Sequence, residues 1–152
     1  MSLLRERFTQ EMKDAMKGGD KARLAAIRMI QAALKDRDIE ARGAGKEVSE
    51  DDILALLQKM VKSRQESLAM YEQAGREDLA AQERGEIAVI QTFLPAQMSD
   101  EDVKAAIAAA IAETGAASMK DMGKVVAVLK AKFTGQMDFA KASAMVKAAL
   151  NG

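Results

Sequence analysis

Cysteine, histidine and tryptophan are absent from this sequence of 152 residues. Without cysteine there is no disulfide, no thiolate nucleophile and no sulfur-ligated metal. That suits a reducing compartment, and a soluble cytoplasmic protein is the expectation. Without histidine the usual general base near neutral pH is missing. Aromatic residues are few, with four Phe and one Tyr. The core must therefore be aliphatic, and eleven Met are available to fill its irregular gaps. No apolar run approaches the roughly 20 residues needed to span a bilayer, so no membrane partner is expected. The charged, amphipathic start MSLLRERFTQEMK does not read as a signal peptide.

Proline is nearly absent too, and the single Pro95 falls between periodic segments, as most glycines do. Every long segment has helical period, and none alternates with period two over a strand's length. The spacing predicts helices over about 3–17, 21–42 and 76–93, with a third in chain order that opens at Ser49 and carries an apolar face from Ile53 to Tyr71. Gly18-Gly19 and Gly43-Ala44-Gly45 are stops, Thr134-Gly135 breaks a later helix, and Asp20 and Ser49 are N-caps. Ser49 with Asp52 has the spacing of a capping box, in which the hydroxyl accepts from a backbone N–H and the carboxylate reaches back. Ser99 with Asp102 and Ser118 with Asp121 repeat that spacing and open two further helices. A last helix runs from about Asp138 to Leu150. The fold class is all-α, with an N-terminal four-helix bundle-like domain over residues 1–94 and a small three-helix domain over 96–152.

The inventory for catalysis is thin, and no catalytic residue is assigned. Ser49, Ser99 and Ser118 already have capping duties, and no serine stands in a Gly-rich elbow. No phosphate-cradling glycine motif is present. Glu83 and Glu86 lie three apart on the fourth helix, and Arg64 interrupts an apolar face of the third. They are either an acid–base pair or an ion pair at a helix seam, with Arg64 or Arg28 as the cation. The ion pair is the better reading, because charges near a core must be matched. No metal and no cofactor is expected, since this spacing converges too few oxygens for a hard cation.

Charge is balanced overall, with 23 basic and 23 acidic residues. Its distribution is uneven. Residues 119–152 carry six lysines against Asp121 and Asp138, a local net of +4. Beyond Pro95 every basic residue is Lys. Lys120, Lys124, Lys130 and Lys132 flank the apolar stripe Met122, Val125, Val126, Leu129 and Phe133, and Lys141 lies opposite the apolar side of the last helix. They are either a solvated surface or a set of phosphate contacts. Lysine is a mobile point charge without arginine's fork, so such a surface would hold a backbone rather than read bases. The shortage of exposed aromatics argues against stacking on single strands.

The stretch MKDMGKVVAVLKAKFTGQMDFAKASAMVKAAL resembles the tail module of the B subunit of tRNA-dependent amidotransferases and the free-standing YqeY-like proteins. Asp121, Met122, Gly123, Lys124, Gly135, Asp138, Lys147 and Leu150 fit the family pattern, and upstream stretches around residues 14–40 and 62–99 resemble it as well. Met137 and Val126 depart from it, standing where small residues and Met are usual. The resemblance implies an all-helical protein of two parts whose tail grips folded tRNA while chemistry happens elsewhere. It adds Gly123 and Gly135 to Lys120, Lys124, Lys130, Lys132 and Lys141 as candidate RNA-binding residues. The implied partners are tRNA or another folded RNA. An aminoacyl-tRNA synthetase or amidotransferase, docked by a protein-interaction module, is the alternative. The family label of carbon–nitrogen ligase with glutamine as amido donor describes the larger enzyme.

Overall fold

A computed structural model describes residues 2–151. Among them the regular structure is entirely helical. The chain divides into two compact units, Met1–Leu94 and Pro95–Gly152.

The first unit holds α1 (Leu3–Gly18), α2 (Lys21–Gly43), α3 (Glu50–Gln73) and α4 (Glu77–Gln91). Its ends follow from local chemistry. Gly19 takes a left-handed φ of 69° that closes α1, and the Asp20 carboxylate then accepts from the Arg23 N–H to start α2. Both halves of the capping box form at α3: Asp52 N–H donates to Ser49 Oγ at 3.1 Å, and Ser49 N–H donates to Asp52 Oδ2 at 3.0 Å. Those bonds favour the charged carboxylate, and Asp52 is held below the usual aspartate range.

The central stretch of α2 is apolar on nearly every side, and α2 touches each of the other three helices. Ile27, Ile30, Ile53, Leu57 and Ile90 are almost wholly buried together with Phe8. Phe8 meets Phe93 edge-on, with ring centroids 4.8 Å apart. The Arg7 guanidinium lies 4.9 Å from the Phe93 centroid, close enough for a cation–π contact. Ala80 is fully buried, whereas the larger Leu79 beside it is only half-buried.

The second unit holds α5 (Asp100–Thr114), a 3-10 turn (Met119–Asp121), α6 (Met122–Phe133) and α7 (Phe139–Asn151). Its core is Val103, Ile107, Ala110, Val125, Leu129, Met137, Ala142 and Val146. Two of the expected caps differ in form. Ser99 Oγ accepts from Asp102 N–H at 3.1 Å, but no return bond from the Asp102 carboxylate forms. At Ser118 the capping box with Asp121 forms, and Asp121 Oδ2 accepts from the N–H groups of Ala117 and Ser118, at 3.0 and 3.3 Å. The chain passes through a 3-10 turn there before α6 begins. Ala149 is exposed, although its spacing from Val146 places it with the apolar set.

Candidate nucleic-acid interface

The loop between α6 and α7 is a structural joint. Gly135 is buried and takes a left-handed φ of 79°. Gln97 Nε2 donates to the Gly135 carbonyl at 2.6 Å, and Met98 N–H donates to the Gln136 carbonyl at 2.9 Å. Met137, next in line, is 3% exposed and fills the core. Met137, one of the two residues that depart from the family pattern, is thus a packing residue. Gly135 is a backbone hinge pinned by Gln97 and offers no outward face to a ligand.

The candidate lysines fall into two groups. Lys132 Nζ donates to Glu113 Oε2 at 2.7 Å, and Lys141 Nζ donates to Asp100 Oδ1 at 2.7 Å. Both carboxylates belong to α5, one at each end. The lysine beside Asp100 holds its carboxyl below the usual aspartate range. Lys120 and Lys130 have no carboxylate partner among the described residues and are exposed. Lys124 stands 3.9 Å from Asp121 Oδ1, a loose contact, and its side chain is 71% exposed. Asp121 is mainly engaged with the two backbone N–H groups, which hold its pKa low.

The outer side of α6 has low relief. Gly123, Ala127 and Ala131 recur every four residues, and all three are exposed. Residues three and four apart are surface neighbours on a helix. Lys124 lies three before Ala127 and Lys130 three after it, so the two lysines flank the small-residue row on opposite sides. Lys120 stands just upstream in the 3-10 turn. A Cβ built on Gly123 would meet nothing within 4 Å. The structure therefore places Gly123, Lys124 and Lys130 on the exposed side of α6, with Lys120 exposed in the 3-10 turn before it. It ties Lys132 and Lys141 to α5 and buries Gly135.

In the first unit, Arg64 Nε lies 3.3 Å from Glu86 Oε2, the seam ion pair expected between α3 and α4. Arg64, not Arg28, supplies the cation. The contact is one of charge, since Nε is not aligned for a hydrogen bond. The guanidinium also touches the Met29 sulfur. Glu83 Oε2 is buried without a hydrogen bond. No cluster of three or more acidic side chains able to hold a metal ion occurs among the described residues. No helix among them is long and apolar enough to cross a membrane.

A family model described as Yqey-like protein matches residues 5–150, nearly the whole chain. The chain belongs to the YqeY-like family. Similar proteins include three named Altered inheritance of mitochondria protein 41, mitochondrial. That of Pyrenophora tritici-repentis is 34% identical over 88 residues, which is 57% of this chain and 46% of the relative. That of Kluyveromyces lactis is 30% identical over 95 residues, 60% of this chain and 50% of the relative. That of Vanderwaltozyma polyspora is 29% identical over 85 residues, 56% and 45%. Aligned segments thus span about half the length of these curated relatives or slightly less.

The two α5 pairings were not legible in sequence. They join positions 41 and 19 residues apart, and nothing local marks them. The acidic stretch around Asp100 was visible as composition. Which lysine each acid would meet depends on how α6 and α7 lie against α5.

Proposed function

We propose that this YqeY-like protein is a non-catalytic RNA-binding accessory factor that grips the backbone of folded tRNA through the outer side of α6. The observation that carries the reading is the exposed row Gly123, Ala127 and Ala131 flanked by Lys124 and Lys130, with Lys120 just upstream. Small side chains let a sugar–phosphate backbone approach the helix closely. The flanking ammonium groups then reach phosphate oxygens. With no arginine and no exposed aromatic on that side, contact is to backbone and shape rather than to bases. The reading extends to a supporting role in tRNA-dependent amidation, the chemistry of the larger enzyme whose tail module this chain resembles. A cysteine-free sequence suits a reducing compartment, and we assign the protein to the cytoplasm.

The test is a tRNA titration at two salt concentrations. Wild type should bind more tightly at low salt, because each phosphate neutralised releases counterions. Changing Lys120, Lys124 and Lys130 together to Glu should weaken binding strongly and flatten the salt dependence of what remains by about 2–3 in log–log slope. Binding indifferent to that triple change, or none by wild type at low salt, overturns the reading.

A second reading rests on the first unit. Leu3, Met16, Ile39 and Met70 are exposed there, at 54% or more. Such side chains suit adaptable docking on a synthetase or amidotransferase. Partners that copurify after ribonuclease treatment would favour it over RNA binding.

A further inference from the structure

The second unit as a whole is far less basic than its last two helices. It carries seven lysines against six carboxylates, a net of +1, whereas residues 119–152 alone carry +4. The difference comes from α5, which brings Asp100, Glu101, Asp102 and Glu113. Two of those acids are spent on specific lysines. Asp100, the first residue of α5, holds Lys141 in the first turn of α7. Glu113, near its other end, holds Lys132 in the last turn of α6. Each contact is 2.7 Å, the short distance of a charge-assisted hydrogen bond. All four side chains are at least half exposed, so each pair is accessible to a competing anion.

We propose that Asp100 and Glu113 are built-in competitors for phosphate, which hold Lys141 and Lys132 in reserve until an RNA backbone displaces them. This rests on the RNA-binding reading of α6. Lys120, Lys124 and Lys130 then set the resting affinity. Lys132 and Lys141 add to it only for a ligand that presents several phosphates at fixed spacing. An isolated anion gains too little at either lysine to displace a tethered carboxylate. A folded RNA already anchored on α6 presents further phosphates at high effective concentration. The acids thus raise the selectivity of a lysine surface for folded polyanions over small ones.

The test compares two charge-matched doubles of the full chain, D100N/E113Q and E101Q/D102N. Both remove two negative charges from α5, but neither Glu101 nor Asp102 pairs with a lysine. Circular dichroism establishes that both remain helical. With tRNA, D100N/E113Q should bind about three- to tenfold tighter than wild type, the range expected on removing two exposed pairs. Its salt dependence should steepen by about 1–2 in log–log slope. E101Q/D102N should gain about twofold or less, with an unchanged slope, because its effect is only through a screened field. Equal gains in the two doubles, or no gain in D100N/E113Q, would overturn the proposal. If wild type fails to bind tRNA, the α6 reading falls first. Retention on phosphocellulose then decides separately whether the two lysines are held back. D100N/E113Q should elute at clearly higher salt than E101Q/D102N, and coincident elution overturns the proposal.

Discussion

The two units solve the same packing problem with different cations. The first spends arginine on fastening helices together. Arg5 grips Asp38 with both guanidinium nitrogens, at 2.9 and 2.6 Å, across α1 and α2. Arg23 reaches Glu11, and Arg64 reaches Glu86. The second unit has no arginine at all. Its inter-helix pairs are single lysine contacts, Lys132 to Glu113 and Lys141 to Asp100. A fork that makes two parallel bonds fixes geometry, whereas a point charge on a flexible stem can exchange partners. Fasteners therefore belong to the first unit, and exchangeable charge to the second.

The largest effect that tests this contrast is on the cores. Leu57→Ala and Leu129→Ala should each cost about 2–5 kcal/mol, since both side chains are essentially unexposed. The consequences should differ. A unit of under 60 residues buries only about 60% of its unfolded surface and has little stability to lose. Leu129→Ala should strip amide-exchange protection from α5, α6 and α7 while α1 to α4 keep theirs. Leu57→Ala should weaken protection in α1 to α4 without abolishing it. Uniform loss across both units in either variant would mean that they unfold as one body.

Next in size is the joint between α6 and α7. A Cβ at the left-handed φ of Gly135 is strained, so Gly135→Ala should cost about 1–2 kcal/mol. Thermal unfolding measures it. An unchanged midpoint would show that the loop relaxes and that the Gln97 clamp does not fix it.

How far the sequence foretold these features depends on their range. Helix ends were readable because caps and glycines act locally: Ser49 with Asp52 and the break at Gly19 need only neighbouring residues. The half-formed cap at Ser99 and the 3-10 turn at Met119 were not, since the same spacing accommodates either geometry. Of the candidate site, the α6 lysines were readable from helical spacing. Gly135 was readable as a helix break, and the family pattern offered it as a ligand contact as well, because such a pattern records that a glycine is needed but not what needs it. Burial and a positive φ assign it to the backbone.

The acid limb of stability sharpens the contrast between forks and point charges. The hydrogen bonds from Arg5 hold the Asp38 carboxyl below its ordinary range. A carboxylate with a lowered folded-state pKa leaves the unfolded chain binding more protons. Its contribution is fully present above the ordinary aspartate value of about 3.9 and is lost as pH falls through the lower folded-state value. Asp38→Asn should therefore cost about 0.5–1 kcal/mol at neutral pH and flatten the fall in stability below about pH 4. Asp100 is shifted in the same direction by Lys141. Its more exposed pair should make the flattening in Asp100→Asn smaller than in Asp38→Asn. Equal flattening in the two variants would erase the distinction between fastener and exchangeable charge.

The smallest effect separates fold from function within the second unit itself. Gly123 and Gly135 both fit the family pattern, yet their surroundings are opposite. Gly123 is helical and exposed, with open space where a Cβ would go. Gly123→Ala should therefore stabilise the second unit slightly, by up to about 1 kcal/mol, through helix propensity. Gly123→Leu should also keep the fold, and its larger side chain would stand in the low-relief row beside Ala127. If a phosphate backbone lies along that row, Gly123→Leu weakens tRNA binding severalfold while the melting temperature holds or rises. Loss of affinity without loss of stability is the signature of a contact surface. A Leu variant that binds tRNA as wild type does would move the contact off the row and leave the lysines to act from its edges alone.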